Sequence, residues 1–202
     1  MKVVVLGAGG RAGSRIVLEL AQREHEILAL SRTLGKVPNV DNVTVGRIDV
    51  RDISVLTDVL RGFDAVINAT KFKDIDTQGL VNAVEDSGVR RFISVGGAGS
   101  LWATPGVKEM DRPDFPDTVR PEAFAGATLL AQMRGSSLEW TYISPSRIFE
   151  PGARTGKFRY GRESLLFDKN GASAISMEDY AIALVDELEQ PRYVRRRFTV
   201  GY

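Results

Sequence analysis

Short runs of aliphatic, mostly β-branched residues alternate along this chain with longer segments whose apolar residues recur every three or four positions. The short runs predict strands, and the longer segments predict amphipathic helices. The predicted strands are Val3–Leu6, Glu26–Leu30, Val43–Ile48, Ala65–Ala69, Arg91–Val95, Trp140–Ile143 and Arg197–Val200. The predicted helices are Arg11–Arg23, Ile53–Arg61, Thr77–Asp86, Pro121–Arg134 and Met177–Leu188.

Several of these helices carry residues that are typical of buried faces or of helix ends. In the first helix, Ile16, Val17 and Leu20 have the spacing of a face that packs against a core. Gly88 is typical of the residue that closes a helix. Ser176 is the predicted cap of the last helix, with Asp179 three residues later in a variant of the capping box.

Strand–helix alternation of this kind predicts an α/β fold with a parallel sheet and helices on both of its faces. Because crossover connections are right-handed, a doubly wound, three-layer α/β/α sandwich is the expected architecture. One domain spanning residues 1–202 fits the length. Residues 145–175 break the alternation and are predicted to form a small insertion over the carboxyl edge of the sheet, where a substrate would sit.

Composition excludes several kinds of chemistry. The chain has no Cys and one His, so thiol nucleophiles, disulfides, Cys-based zinc sites and multi-His metal sites are excluded, and no metal site is expected. The 27 Lys and Arg nearly balance the 26 Asp and Glu, which gives no reason to expect nucleic acid or a membrane as a partner. A small-molecule substrate, and a monomer or homodimer, are compatible with this composition. His25 precedes the second predicted strand, at the sheet's amino edge, and is expected at the surface.

Two stretches nevertheless have a biased charge. Residues 109–122 contain five carboxylates and two Arg, and Arg192 is followed by Arg195, Arg196 and Arg197. We expect the first stretch to be a solvated loop and the second a solvated strand end. The opening residues lack the long apolar stretch of a signal peptide, and no run of eighteen apolar residues occurs. The cytoplasm is therefore the expected location.

The sequence VVVLGAGGRAG at residues 3–13 places glycines at positions 7, 10 and 13, between a predicted strand and a predicted helix. In such a turn the first Gly permits a tight bend, the second lets the backbone approach a pyrophosphate, and the third lets the helix pack on the strand. The helix start also offers unpaired N–H groups to an anion. The segment therefore predicts a dinucleotide site.

The end of the second strand indicates which dinucleotide is preferred. NAD-binding proteins usually carry Asp or Glu there to bind the ribose hydroxyls. This chain instead has Ser31 and Arg32, and Arg32 lies 19 residues after Gly13, where the acid is expected. A guanidinium at this position would pair with the 2′-phosphate of NADP(H), and Arg11 could contact the same anion. We therefore predict NADP(H) in preference to NAD(H).

Taken together, several segments resemble one family: VVVLGAGGRAG, Ser31-Arg32, Asp49-Val50-Arg51-Asp52, Asn68-Ala69-Thr70, ISVGGAGSL at 93–101 and ISMEDYA at 175–181. The chain resembles the atypical short-chain dehydrogenase/reductases, and among them the small NAD(P)-binding proteins described as NmrA-like or epimerase/dehydratase-like. The biliverdin IXβ/flavin reductases are more distant relatives. The resemblance implies a Rossmann fold and a nicotinamide cofactor.

The resemblance also implies roles for particular residues. The pyrophosphate would contact Gly7, Gly10, Arg11, Ala12 and Gly13, and the 2′-phosphate would contact Ser31 and Arg32. Around the adenine and the nicotinamide half, the implied residues are Asp49, Val50, Ala69, Thr70, Val95, Gly96 and Pro145, with Asp49 accepting from the adenine amine. Each lies in the glycine turn or follows a predicted strand, where open α/β sheets bind ligands.

One departure from the family leaves the reaction open. Most short-chain dehydrogenases use a Tyr-x-x-x-Lys pair to move a proton, and none of the five Tyr here has Lys four residues later. The catalytic residue is thus unknown. A flat conjugated acceptor such as a flavin, quinone or bilin needs little acid catalysis, so an NADPH-dependent reductase is the first hypothesis. A non-catalytic NADP(H) sensor is the second, and an epimerase or dehydratase the third. Candidate substrate-lining residues are Trp102, Arg147, Phe149 and Arg154.

Overall fold

The computed structural model describes all 202 residues and contains twelve strands and five α-helices. The strands are β1 (Lys2–Leu6), β2 (Glu26–Ser31), β3 (Val43–Arg47), β4 (Ala65–Asn68), β5 (Arg91–Val95), β6 (Trp102–Thr104), β7 (Val107–Lys108), β8 (Glu139–Pro145), β9 (Ile148–Glu150), β10 (Arg159–Gly161), β11 (Ala174–Ser176) and β12 (Arg196–Gly201). The helices are α1 (Arg11–Gln22), α2 (Ile53–Leu60), α3 (Thr77–Ser87), α4 (Arg120–Gly135) and α5 (Met177–Glu189). None of these helices combines the length and apolarity that a bilayer crossing requires.

Eight strands form one sheet in the order β10-β12-β8-β5-β4-β1-β2-β3. All neighbours in this sheet are parallel except β10, which is antiparallel to β12. The chain first builds outward from β1 to β3 and then returns to the other side of β1 through β4. Because the connections reverse between β1 and β4, a crevice opens there at the carboxyl ends of the strands.

Helices cover both faces of this sheet. Helices α1 and α5 pack on one face around a cluster that includes Ile16, Val17 and Leu20, all fully buried. Helices α2, α3 and α4 pack on the other face around a second cluster that includes Phe92 and Tyr142. The predicted three-layer, doubly wound α/β fold is therefore confirmed.

The predicted helix ends are also confirmed. Gly88 ends α3 in the left-handed region, at φ +82°. The hydroxyl of Ser176 accepts a hydrogen bond from the amide of Asp179 over 3.0 Å, which caps α5. The strand and helix boundaries differ from the sequence predictions by one or two residues.

The loop after β5 has more structure than the sequence predicted. Residues 96–117 contain the hairpin β6–β7 and a short 3₁₀ turn, Glu109–Asp111. Glu109 was expected in a solvated loop, but its carboxylate is buried and accepts hydrogen bonds from Arg147 at 2.7 and 2.8 Å. Arg112 is a second ion-pair partner, at 3.2 Å. Arg147 lies 38 positions from Glu109, so the sequence alone gave no sign of the contact that buries this carboxylate.

The 145–175 segment lies only partly over the carboxyl edge of the sheet. Its strand β10 extends the sheet at the far edge, beside β12. Its central residues cross the layer of α1 and α5, where Arg154 pairs with Glu19 at 2.9 Å and Thr155 donates to Asp179 at 2.6 Å. The prediction that the whole segment lies over the carboxyl edge is therefore wrong, and its role at a substrate stays a prediction.

The lone histidine corrects a further expectation. His25 was predicted at the surface, but it is only 5% exposed because the end of α5 covers it. Its Nε2 lies 3.0 Å from a carboxylate oxygen of Glu189, a residue 164 positions later. The residue does lie at the amino edge of the sheet, away from the crevice, as the order of elements indicated.

Stability in acid is expected to depend on Glu19. Burial alone would raise the pKa of this carboxyl, but hydrogen bonds from Arg154 and Arg23 hold it below the ordinary value of 4.5. A depressed folded-state pKa contributes stability above the unfolded pKa, and that stability is lost as pH falls through the folded pKa. We expect the melting temperature of the chain to fall as the pH drops below 4.5.

Thermal melts of the unmodified chain and of Glu19→Gln between pH 7 and pH 3 test this expectation. The variant should melt lower at pH 7 and should lose less on acidification. Glu26→Gln is the matched control, since Glu26 is exposed and makes only a 3.8 Å pair with Lys2. An identical acid profile for Glu19→Gln and the unmodified chain would contradict the role of Glu19.

Candidate functional site

The glycine turn after β1 is built by close backbone approaches. Gly7 has φ +77°, and its amide donates to the Leu30 carbonyl at 2.9 Å, which ties the turn to β2. A Cβ at Gly7 would lie 2.7 Å from the carbonyl oxygen of Ala69, which follows β4. Only glycine fits this backbone conformation and this contact without strain. The turn thus lies between the ends of β2 and β4 and contacts both of them.

Gly13 allows α1 to pack directly on the turn. A Cβ at Gly13 would lie 2.2 Å from the Gly7 carbonyl oxygen. Gly10 precedes the helix, has no side chain with which to cap it, and donates its amide to the same Gly7 carbonyl at 2.9 Å. The first turn of α1 contains no acidic residue. The first helical amides therefore have no protein anion beside them and form a favourable place for a bound anion.

A cleft of about 370 Å³ lies in the crevice at the carboxyl ends of β1, β2 and β4 and beside the loop that follows β3. Its lining combines the glycine turn with the residues that follow these strands. The lining residues are Gly7, Gly9, Gly10, Leu30, Ser31, Arg32, Thr33, Lys36, Ile48, Asp49, Val50, Arg51, Ala69, Thr70, Lys71, Asp74 and Ile75. The cleft thus coincides with the topological switch point of the fold.

Positive charge predominates in this cleft. Its lining contains four cationic side chains and two carboxylates, those of Asp49 and Asp74. The cations are Arg32, Lys36, Arg51 and Lys71. Asp49 pairs with Arg51 through both carboxylate oxygens, at 2.5 to 3.0 Å. Hydrogen bonds from Arg51, with a smaller contribution from Arg32, lower the pKa of Asp49 to about 2. Arg51 thereby balances the negative charge of Asp49. The remaining cations, Arg32, Lys36 and Lys71, favour an anionic ligand.

Buried polar contacts fix the far wall of the cleft. Asn68, which is fully buried at the end of β4, donates to the hydroxyl of Ser94 on β5 and accepts from the amide and the hydroxyl of Thr70. The carboxylate of Glu122 on α4 accepts from the amides of Phe72 and Lys73 at 2.8 and 3.0 Å. The segment after β4 is therefore held rigidly before any ligand arrives.

The sequence-predicted cofactor residues fall into three groups. Eight line the cleft: Gly7, Gly10, Ser31, Arg32, Asp49, Val50, Ala69 and Thr70. Three form the first turn of α1: Arg11, Ala12 and Gly13. Three lie further along the carboxyl edge, at the ends of β5 and β8: Val95, Gly96 and Pro145. The structure thus brings the predicted residues to one edge of the sheet.

Two cations of the cleft were missed by the sequence analysis as candidate ligands. Lys36 belongs to the 3₁₀ turn after β2, and its Cβ is one of the atoms that a Cβ at Gly9 would meet. Arg51 was quoted only as part of the Asp49-Val50-Arg51-Asp52 segment. Basic residues within a few positions of the β2 and β3 ends were the available signal, but exposed loop cations are too common to be singled out by sequence.

Two tyrosine hydroxyls near the ends of β5 and β8 form hydrogen bonds with the backbone. Tyr142 is buried, donates to the Gly126 carbonyl and accepts from the Gly97 amide. Its ring fills the space beside Gly96, where a Cβ would approach ring atoms to 2.4 Å. Tyr180 is also buried and donates to the Ile143 carbonyl. Burial raises the pKa of both hydroxyls, so neither is poised to move a proton.

The four predicted substrate-lining residues do not form one wall. Phe149 packs on Tyr180, with ring centroids 4.7 Å apart, and Arg154 is bound to Glu19 on α1. Trp102 belongs to the hairpin β6–β7, where Lys108 lies over its ring. Arg147 remains beside the carboxyl edge, paired with Glu109. Phe149 and Arg154 thus make contacts within the α1–α5 layer, and their role at the substrate stays a prediction.

Comparison with known proteins identifies the family. The sequence profile of a family of NAD(P)H-binding proteins matches residues 7–191. The chain belongs to this family. The matched range includes the glycine turn, the cleft and all of the 145–175 segment, so the family likeness covers the whole site.

Individual relatives agree over their full length. The chain is 36% identical to the Bacillus subtilis protein YwnB over 99% of this chain and 98% of that protein. A Bacteroides thetaiotaomicron structure, described as a candidate epimerase, is 36% identical, with a TM-score of 0.94 over 100% of this chain and 96% of that one. A Streptococcus pneumoniae structure, described as a candidate NADH-flavin reductase, is 34% identical, with a TM-score of 0.84 over 100% and 99%.

Proposed function

We propose that this protein is an NADPH-dependent oxidoreductase that delivers a hydride to a flat conjugated acceptor of the flavin, quinone or bilin type. The observation that carries the proposal is the cleft itself. A glycine turn with an uncapped helix start opens into a pocket in which four cationic side chains outnumber two carboxylates. Membership of an NAD(P)H-binding family supports a dinucleotide as the ligand.

The preference for NADPH is supported by the end of β2. NAD-binding proteins usually carry Asp or Glu at the end of this strand. Here the three residues at that place are Ser31, Arg32 and Thr33, and all of them line the cleft. Arg32 and Lys36 line the cleft there and would pair with a 2′-phosphate. Arg51 is exposed and bound to Asp49, so it balances the carboxylate that lines this part of the cleft and leaves the charges of Arg32 and Lys36 unopposed there.

The residues of the site would hold the cofactor and position its reactive end. When bound, the nicotinamide supplies the hydride. The glycine turn and the first amides of α1 would bind the pyrophosphate, and Thr70, fixed by Asn68, would contact the ribose on the nicotinamide side. Gly96 leaves room for the Tyr142 ring, and the backbone at the end of β5 would contact the nicotinamide half. These contacts orient the ring without a protein acid beside it.

A flat acceptor fits the burial of the Tyr142 and Tyr180 hydroxyls, which are hydrogen-bonded within the protein. Such acceptors take a hydride into a conjugated system, and solvent can supply the accompanying proton. The Streptococcus pneumoniae relative, described as a candidate NADH-flavin reductase, favours a flavin within this class. Epimerase chemistry in short-chain dehydrogenases relies on the Tyr-x-x-x-Lys pair, which this chain lacks.

An acceptor panel tests the proposed reaction. Purified protein is incubated with NADPH and FMN, FAD, riboflavin, menadione or biliverdin, and the loss of absorbance at the nicotinamide band is followed against acceptor-only and protein-only controls. We expect turnover with at least one acceptor and none with simple ketones or sugars. Tight NADPH binding without turnover of any acceptor would contradict the oxidoreductase proposal.

A second candidate function is an NADP(H)-binding sensor that performs no chemistry. The buried hydroxyls of Tyr142 and Tyr180 favour it, since a protein that only binds the cofactor needs no proton donor. The same panel separates the two functions. A sensor should bind NADPH and NADP⁺ with different affinities and consume neither.

Arg32→Glu should shift the cofactor preference towards NADH. The substitution removes one cation from the cleft and adds the carboxylate that binds ribose hydroxyls, so a 2′-phosphate would meet repulsion. A charge-assisted hydrogen bond is worth about 1.5–3 kcal/mol, so we expect NADPH affinity to fall by about ten- to a hundredfold. Binding titrations with both cofactors provide the measurement, and Arg61→Gln, an exposed arginine after α2, is the control. An unchanged ratio of affinities would remove Arg32 from the 2′-phosphate site.

A further inference from the structure

A second charged pocket lies on the far side of the sheet from the cofactor cleft. It has a volume of about 300 Å³ and lies beside β12 on the α4 face. Its lining consists of five arginines, one carboxylate and two aromatic residues. These residues, which we call the arginine pocket, are Arg134, Trp140, Arg162, Glu163, Tyr193, Arg195, Arg196 and Arg197.

The fold gathers these arginines from three separate segments. Arg134 comes from the end of α4, Arg162 follows β10, and Arg195–Arg197 cover the start of β12. Arg195 is held in the left-handed region at φ 55°, and its guanidinium donates to the carbonyls of Ser137 and Leu138. These hydrogen bonds hold Arg195 in place, and because the acceptors are neutral carbonyls its positive charge is not balanced by them.

Arg197 contradicts the expectation of a solvated strand end. It is 7% exposed, and its guanidinium donates to the hydroxyl and the carbonyl of Ser100 and pairs with Glu163. Its Nε is buried without a hydrogen-bond partner. Because Ser100 and Glu163 hold the guanidinium in place, Arg197 adds a fixed positive charge to the lining of the pocket.

The negative charge in the pocket is too small to balance its arginines. Glu163 is the single carboxylate; it contacts Arg197 and lies 3.7 Å from Arg134. Arg162 and Arg196 form no ion pair or side-chain hydrogen bond and are exposed. Five guanidinium groups against one carboxylate leave four formal positive charges around a small concavity, which is an arrangement that attracts anions.

We propose that the arginine pocket binds a small, multiply charged anion that carries phosphate groups. Arginine presents several planar N–H donors that match phosphate oxygens, and two free guanidiniums beside a buried one can contact more than one phosphate oxygen at once. A concave volume of about 300 Å³ suits a small molecule better than the flat surface of a membrane or a duplex. The pocket is separate from the cofactor cleft, because the two share no lining residue.

Calorimetric titration with inorganic pyrophosphate tests this site at fixed ionic strength, maintained with chloride. We expect saturable binding to the unmodified chain and at least tenfold weaker binding to Arg162→Gln and to Arg196→Gln. Both arginines lack protein partners, so neither substitution removes a folded-state contact. Arg61→Gln, an exposed arginine beyond α2, is the matched control and should bind as the unmodified chain does.

Three outcomes would overturn the proposal. Absence of saturable pyrophosphate binding would remove the site. Binding that both variants leave unchanged would place the anion elsewhere, for example at the glycine turn. The unmodified chain could instead bind a single-stranded oligonucleotide, or vesicles with anionic lipid, and not bind pyrophosphate. If both variants lost that binding, the pocket would be assigned to a macromolecular partner. NADPH affinity, measured in parallel, should be the same in all these variants.

Discussion

Gly13→Ala should abolish dinucleotide binding and destabilise the fold. The added Cβ would lie 2.2 Å from the Gly7 carbonyl oxygen and 2.9 Å from its carbon, and both atoms are backbone. Neither can move without shifting the turn or tilting α1, so the amides at the helix start would no longer converge on a pyrophosphate. Forcing a methyl group into such a contact costs about 1–3 kcal/mol. We expect more than a hundredfold loss of NADPH affinity together with a lower melting temperature.

Binding titrations and thermal melts measure the two effects separately. Gly135→Ala is the control, because it is also a helical glycine and a Cβ there meets no atom within 4 Å. This control should bind NADPH normally and melt at or slightly above the temperature of the unmodified chain. Normal NADPH affinity in folded Gly13→Ala would show that the close approach of α1 to the turn is not needed for binding.

Glu187→Ala should be the most destabilising single change outside the cofactor cleft. Glu187 and Arg91 form a buried ion pair at 3.0 Å, with 3% and 8% of the side chains exposed. The Glu187 carboxylate also accepts from Thr141 and from the amides of Arg192 and Tyr193, which anchors the segment before β12. Removing it would leave a buried guanidinium without a counter-charge, at a cost of about 3–5 kcal/mol.

The double variant Arg91→Met with Glu187→Leu separates this cause from simple loss of packing. Replacing both members of a buried pair with apolar residues is often neutral, so we expect the double variant to be more stable than Glu187→Ala. Chemical denaturation of the single and double variants is the measurement. Destabilisation of the double variant equal to or greater than that of Glu187→Ala would contradict the ion-pair explanation.

Much of the fold and the centre of the cleft could be predicted from local sequence. Strand and helix periodicity, Gly88 and the Ser176 cap are decided by neighbours within a few positions, and each of these predictions is confirmed. The spacing of the glycines likewise follows from close backbone approaches at Gly7 and Gly13, which a residue with a Cβ cannot make. Such features are visible in a single chain because the interactions behind them are short in sequence.

The misplaced residues all depend on contacts between distant segments. His25 is covered by α5, Glu109 is clamped by Arg147, and Arg197 reaches Ser100, which is 97 positions away. Exposure cannot be read from residue type when an opposite charge arrives from another element. Charge runs therefore gave the wrong burial for Glu109 and Arg197, although most of the other charged residues in these two stretches are exposed or partly exposed.

The substrate side shows the same limitation. Residues 145–175 follow β8 directly, which places their beginning at the carboxyl edge, but an ion pair with Glu19 draws their centre across α1. Phe149 then completes the core beside Tyr180. This contact joins residues 135 positions apart, so local sequence could not reveal it.

The central claim is that the glycine turn and the cationic cleft form a site for a 2′-phosphorylated dinucleotide. Titration of the unmodified chain with NADPH and with NADH tests this claim most directly. Both titrations are performed in one buffer at one ionic strength, with the dissociation constant and the stoichiometry as readouts. The structure predicts one NADPH per chain, bound at least tenfold more tightly than NADH. Failure to bind either dinucleotide, or equal affinity for the two, would contradict the claim.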